Sequence, residues 1–446
     1  MPLFEFPELA FTQIVMLVVS GFWMLQRNDE IPLLISSFIF YFSSYRYWVV
    51  TNGMGQWVDI ANFGFDSITQ KAALVALSYI VFGQICLLAT YMLRQRKKIA
   101  IVVSDCEPSF LLWLRPQILF LGLLCLPLVV IIRSRVSAEV GAGKSLAFEV
   151  SSYLFLFPMV LVGVATLIFC LWKFGGLSPL LAKIAALSVL SGVAYFTYSP
   201  NTRFLFLSWL IAGGIILSSA YKPKTRLIAF TIVAVLTLTL FAFAGAMRNS
   251  QLAGEELNQI AVQRAFSGED ANMLDGFVLM QQIYPKRLDF SLGMEHLEIL
   301  MRPIPRAWWP QKPVGGYMNK LGLTVNQGQG TLGISQSLFG SFYNEGGVIG
   351  ILFFSVIYGA FLAKIVSYSH QIQPFASILS RAILCACLIP LLRGGDLPGI
   401  YAWFGMAFWP CFLLLWVKRK YFAHKQPSPA YFNYLHNNML QPPHRE

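Results

Sequence analysis

The sequence predicts an all-α, polytopic membrane protein, and three observations carry that prediction. Of 446 residues, 56% are apolar and only 12% are charged, against roughly 25% charged in an ordinary soluble domain. Eleven mostly apolar runs, each bounded by charge, Gly or Pro, approach the ~20 residues that a helix needs to cross a bilayer core. The runs are apolar on nearly all faces, as expected where lipid surrounds a helix and no water can satisfy exposed backbone groups.

In order, the runs lie near 9–25, 31–50, 72–93, 117–132, 152–172, 179–197, 203–220, 227–246, 348–367, 376–392 and 398–417. The first lacks a basic start and an A-x-A cleavage site, so it reads as a retained span and not as a signal peptide. The second carries Arg46 near its end, and the sixth and ninth carry Lys183 and Lys364 near theirs; long side chains so placed can snorkel to the interface. The third run closes on RQRKK (94–98), the seventh on YKPKTR (221–226) and the eleventh on KRK (418–420). With eleven spans these three basic stretches fall on one side, which the preference of Lys and Arg for untranslocated loops makes cytoplasmic. That side then holds 18 basic and five acidic residues, and the short loops opposite hold seven of each. The net charge of +12 is therefore a topology signal, with no nucleic-acid partner implied.

Four regions follow. Residues 1–247 form an N-terminal membrane region of about eight spans, 248–347 an external loop domain, 348–417 a membrane region of about three spans, and 418–446 a cytoplasmic tail. A loop of about 100 residues without structure of its own would be unusual, so the external one is expected to be functional. Within it EELNQIAVQRAF (255–266), ANMLDGFVLMQQI (271–283) and GMEHLEILM (293–301) read as short amphipathic helices. RPIPRAWWPQKP (302–313) and a Gly-rich stretch (315–333) follow.

Several motifs fail on inspection. GAGKS (141–145) ends like a phosphate-binding loop, but Ala138 stands where the first Gly belongs. The seven cysteines sit in spans, apart from Cys106 in a cytoplasmic loop, and read as buried thiols. The five histidines are scattered, with His296 alone in the external loop, and no D-x-D pair occurs. Neither a metal site nor a cofactor is expected.

What remains is a set of external cations: Arg203, Arg248, Arg264, Lys286, Arg287, Arg302, Arg306, Lys312, Lys320 and Arg393. Arginine never deprotonates and donates in pairs to phosphate oxygens, so Arg clustered at the outer membrane boundary suits a lipid-linked pyrophosphate. Trp308 and Trp309 beside Arg306 can stack on sugar rings or anchor at the interface.

YPKRLDF (284–290), IPRAWWPQKP (304–313) and SLFGSFYNEGGVIG (337–350) together resemble the signature of the O-antigen polymerase family, the Wzy-like oligosaccharide repeat-unit polymerases. The resemblance covers about 70 residues; SPNTRF (199–204) and LLRGGD (391–396) are similar to the Arg-bearing turns of that family. Gly340 and Ser341 stand where many members have an acidic residue, and Glu345 is the nearest acid. The resemblance implies a GT-C-like glycosyltransferase in a bacterial inner membrane, with the large loop periplasmic and the C-terminus cytoplasmic. It implies undecaprenyl-pyrophosphate-linked oligosaccharide as substrate, membrane lipids as surroundings and a chain-length regulator protein as a further partner. Arg306, Arg203 and Arg393 are the expected stabilisers of the pyrophosphate leaving group. Glu345, Glu295 and Asp289, with His296 behind them, are candidates for the base that activates the acceptor hydroxyl. Arg248, Arg287, Arg302, Lys312, Trp308, Trp309, Tyr343 and Asn344 complete the expected substrate contacts, and Glu295 or Glu298 can alternatively pair with Arg302 across a helical turn. Three other classes stay open: a ligase-type transferase with the same chemistry, a lipid-linked oligosaccharide flippase or transporter, and a non-enzymatic export or sensor protein. A transporter needs polar groups inside several spans, and the spans hold few charges.

Overall fold

The computed structural model describes residues 7–95, 108–141, 157–198, 203–246, 260, 272–301, 304, 308–309, 311, 316–321, 334–369, 374–395 and 397–422. Among them the regular structure is entirely helical, and the chain is a polytopic helical membrane protein. Seven described helices are long and apolar enough to cross a membrane: Glu8–Arg27, Gln70–Arg94, Ser109–Ile132, Leu180–Thr197, Ser337–Ser369, Pro374–Arg393 and Leu397–Val417.

We number the helices α1 (Pro7–Arg27), α2 (Ile31–Phe40), α3 (Arg46–Thr51), α4 (Gln70–Arg94), α5 (Pro108–Gly141), α6 (Val160–Lys173), α7 (Leu180–Thr197), α8 (Arg203–Ser218) and α9 (Pro223–Ala246). There follow α10 (Met273–Ile283), α11 (Met294–Met301), α12 (Tyr317–Lys320), α13 (Ser337–Ser369), α14 (Pro374–Arg393) and α15 (Leu397–Phe422). Apart from a few end residues, the described part of every apolar run falls on a helix. The second run is α2 and α3 joined through a π-helical turn, Tyr41–Tyr45.

Helix α14 is the hub, packing against α2, α6, α8, α13 and α15. Its small side chains Ala376, Ser377, Ala382, Cys385, Ala386 and Cys387 are buried. Small residues let helix backbones approach where lipid supplies no hydrophobic drive to associate. The rim is the reverse: α1 exposes Phe11, Ile14, Val18 and Phe22, and α9 exposes Ile228, Ile232, Val235 and Leu236. Those are lipid-facing surfaces.

The two ends of the bundle differ in chemistry. One gathers the α1–α2 turn, the close of α4, the start of α9 and the close of α13, where Ser367 donates to Gln95 at 2.8 Å. There Glu30 accepts from Arg226 at 3.0 Å and from Arg381, Asn28 Oδ1 accepts from Arg226, and Asp29 accepts from Tyr91 at 2.7 Å and Trp23 at 3.2 Å. Arg226 and Arg381, which the sequence offers as ordinary cytoplasmic cations, are thus core residues tying α9 and α14 to the α1–α2 turn. Burial alone raises the Glu30 carboxyl, but the Arg381 and Arg226 charges outweigh it and hold that carboxyl below its usual value. Asp29 has no such pair of cations: burial, then repulsion from Glu30, pushes it up to about 6.

The other end gathers residues 52–69, α10, the segment 284–296, the start of α13 and the turn after α14. Gln282 and Asp66 exchange two hydrogen bonds, of 2.9 and 2.8 Å. Arg46 is where expectation and structure part: it does not snorkel but lies 1% exposed, 2.8 Å from Asp275. Burial raises the Asp275 carboxyl more than Arg46 lowers it, and the backbone N–H of Val58 also donates to it at 3.0 Å. The reason is α10 itself. The sequence suggests an amphipathic surface helix, yet Met273–Met280 are all buried, and α10 packs between α4 and α13. An acid carried into that core requires a cation, and Arg46 is the one supplied.

Candidate functional site

The site forms where α13 breaks. Gly346 and Gly347 leave helical geometry, and Gly347 takes φ +64°, a conformation that a Cβ disfavours. Beyond the break the chain packs back on itself: the Phe342 ring lies 5.6 Å from Phe354 and 4.9 Å from Tyr358. A helix interrupted in this way leaves its last carbonyls without partners. The loop before α11 supplies them: Ser291 N–H donates to the Asn344 carbonyl and Leu292 N–H to that of Glu345, both at 3.0 Å.

That capping brings α11 against the break and assembles its polar side chains. The Glu345 carboxylate accepts from the Gly293 backbone N–H through one oxygen and contacts His296 Nδ1 at 2.8 Å through the other. A carboxylate only accepts, so Nδ1 carries a proton toward Glu345, and in the neutral imidazole Nε2 is then the acceptor. Tyr358 Oη lies 3.2 Å from Nε2, and Tyr401 donates to Tyr358 at 2.9 Å. The donors therefore run in one direction, Tyr401 to Tyr358 to His296 to Glu345. The imidazole is further held by stacking on Phe354, centroids 4.2 Å apart and planes within 3°. Alongside, the Asn344 amide donates to Glu295 and accepts from Ser291 Oγ at 2.6 Å. Glu295 and Glu345 are each 2% exposed, whereas the His296 side chain is 21% exposed. Burial, then the Glu295 charge, raises the nearby Tyr284 phenol. A fixed imidazole, oriented by a buried carboxylate and joined through Nε2 to the Tyr358 hydroxyl, is an arrangement suited to exchanging a proton with a hydroxyl.

The expected site residues divide into groups. Glu345, Glu295 and Asn344 come together, with His296 joining them. Tyr343 points away, stacked on Tyr79 at 6.0 Å and packed against Phe277 and Phe290. Asp289 is exposed and takes no part in the cluster's hydrogen bonds. Arg393, half-buried, closes α14 beside the glycine turn that grips the start of α13: Gln336 donates to the Gly395 carbonyl at 3.1 Å. From Ser337 to Glu345 is eight residues, roughly 12 Å of helix. Arg203 opens α8, which packs along α14. Arg287 is used structurally, lying over the Phe65 ring at 4.2 Å and donating to the Gly64 carbonyl. Trp308 is 81% exposed and Trp309 half-buried. Glu298 lies 3.7 Å from Lys320. Arg248, Arg302, Arg306 and Lys312 lie outside the described residues, as do 255–266 apart from residue 260 and most of 315–333.

Sequence reasoning missed Tyr358 and Tyr401, which look like ordinary aromatic residues of two spans. The Gly-Gly pair after Asn344–Glu345 is the one local signal, since two glycines in an apolar run mark a helix break. Comparisons with models of known protein families, with curated proteins and with solved structures return no match for this chain.

Proposed function

We propose that this protein polymerises undecaprenyl-pyrophosphate-linked oligosaccharide repeat units into a surface polysaccharide at the outer leaflet of a bacterial inner membrane. In this reading the chain crosses eleven times in a GT-C-like architecture, with the loop 248–347 periplasmic and the C-terminus cytoplasmic. One observation carries it: SLFGSFYNEGGVIG, the part of the polymerase-like signature that enters a span, is the segment whose break positions Glu345 against His296.

The reaction transfers a glycan from its lipid pyrophosphate to a sugar hydroxyl of a second lipid-linked chain. The acceptor hydroxyl displaces Tyr358 from His296 Nε2, and the imidazole, oriented by Glu345, takes its proton as the oxygen attacks the anomeric carbon from the face opposite the leaving group. The configuration inverts and the lipid pyrophosphate departs. Arg306, Arg203 and Arg393 stabilise the charge that develops on it, so fixed guanidinium groups take the role a metal has in many sugar-nucleotide enzymes. Glu345 is a positioning residue: it is 2% exposed, against 21% for the His296 side chain, and it holds the Gly293 N–H and His296 Nδ1. Glu295 orders Asn344 beside it.

The deciding experiment is the gel ladder of the host's surface polysaccharide after deletion of the gene. A single repeat unit on an otherwise normal acceptor is the expected result. Long chains left unattached would instead identify a ligase, and loss of all external material a flippase.

A further inference from the structure

Helix α11 is amphipathic in the wrong sense for a helix in water. Its two acids, Glu295 and Glu298, are buried. Its outer face and flanks carry Leu292, Met294, Leu297, Leu300, Ile304 and Trp308, all exposed. Within the helix, Met294, Leu297 and Leu300 keep the three-residue spacing of one helical face. Leu292 is held outward in a left-handed conformation at φ +47°, 81% exposed. Soluble surfaces do not arrange residues this way, since they keep carboxylates wet and leucines covered.

We propose that α11 lies in the hydrocarbon edge of the bilayer, with Leu292, Leu297 and Leu300 among acyl chains and Trp308 at the headgroup level. The Glu295–His296–Glu345 cluster then opens toward lipid and receives the polar head of an amphiphile that arrives laterally within the membrane. Continuity with the lipid-facing belt supports this occupant over a second protein copy. Leu292 N–H binds the Glu345 carbonyl, four residues before Ile349, which with Phe353 and Ile357 forms the exposed stripe of the spanning part of α13. The His296 ring stacks on Phe354 of that same turn. The stripe on α11 thus extends a surface that already faces lipid, and Trp308, later in the chain, is exposed; Trp is a side chain favoured at the membrane–water interface. The placement does not depend on the reaction proposed above: a lipid-embedded α11 in a protein that elongates nothing would remove the polymerase reading and leave this one standing.

The test uses the full chain in nanodiscs of phosphatidylethanolamine and phosphatidylglycerol, carrying a nitroxide at Leu297→Cys or, separately, Leu300→Cys. Label on the unsubstituted chain is subtracted, Leu352→Cys on α13 serves as the lipid reference and Lys286→Cys as the aqueous one. Collision with oxygen exceeding collision with a water-soluble nickel chelate several-fold, as at Leu352→Cys, is the expected result. Nickel access matching Lys286→Cys would overturn the proposal, and so would immobilised spectra with dipolar broadening between labels, the signature of a second copy. Both substituted leucines are exposed, so either variant should fold, and agreement between the two positions guards against a local disturbance.

Discussion

Replacing Glu345 with Gln separates a positioning carboxylate from a merely structural one. The carboxylate accepts from Gly293 N–H and from His296 Nδ1–H. An amide has one carbonyl oxygen and must turn its NH₂ toward the other partner. Facing Gly293 it meets a donor with a donor; facing His296 it drives the imidazole proton from Nδ1 to Nε2, which then can no longer accept. The first outcome forfeits a charge-assisted hydrogen bond, about 1.5–3 kcal/mol. The second removes general-base catalysis, roughly 100- to 10,000-fold in rate. Because the Gly293 N–H is a fixed donor whereas the imidazole can change tautomer, the second orientation is favoured, and elongation by Glu345→Gln should fall at least about 100-fold, equivalent to about 2.7 kcal/mol of barrier, with KM for the lipid-linked unit little changed. The assay is the initial rate of chain growth in proteoliposomes, with folded protein quantified by size-exclusion chromatography. A folded variant elongating within threefold of the parent would refute the role given to this pair.

Three further outcomes follow from the same description. Arg306→Ala should abolish long-chain polysaccharide while leaving the membrane level of the protein intact, and normal chain lengths on a gel would remove Arg306 from the mechanism. Asp275→Ala leaves the Arg46 guanidinium buried beside an empty site and should destabilise the fold by about 3–5 kcal/mol; Arg46→Met with Asp275→Leu should recover most of that loss in thermal unfolding, whereas additive losses would show that the pair is not coupled. Asp29 is an acid raised from 3.8 to about 6 in the fold, so the folded state holds its proton more tightly. The resulting stability is present below about pH 4 and lost as pH rises through about 6, a difference of about 3 kcal/mol. Asp29→Asn should remove this decline, and parallel pH–stability curves for parent and variant would contradict it.

The helices were legible because hydropathy registers each residue separately: apart from a few end residues, the described part of every predicted run lies on a helix, even α2 and α3, which a π-turn divides. The charges were less legible, because a sequence shows a cation near a span end but not what it meets there. Arg46 and Asp275 are 229 residues apart, and Arg381 and Glu30 are 351 apart. Each pair becomes visible only once the helices are packed. Helix α10 reads as a surface element by its composition, yet its apolar residues are buried between α4 and α13, and Asp275 is tolerated there because Arg46 meets it. For the site, Glu345, Glu295 and Asn344 could be picked out as polar residues around a Gly-Gly break in an apolar run. The Tyr358–Tyr401 extension could not, since each is one more aromatic residue in a span. Polarity that runs opposite to expectation, as in α11, is likewise invisible in the sequence, because a stripe has the same period whichever side faces lipid.

The central claim is glycan elongation from a lipid pyrophosphate by fixed cations and an oriented imidazole. Purified protein in proteoliposomes, given one defined undecaprenyl-pyrophosphate-linked repeat unit, tests it most directly. The account predicts a ladder of products whose spacing is one repeat unit and whose rate is unchanged by a metal chelator. Folded protein that yields nothing longer than the supplied unit would contradict the polymerase reading, and a ladder abolished by chelation would contradict the cationic site.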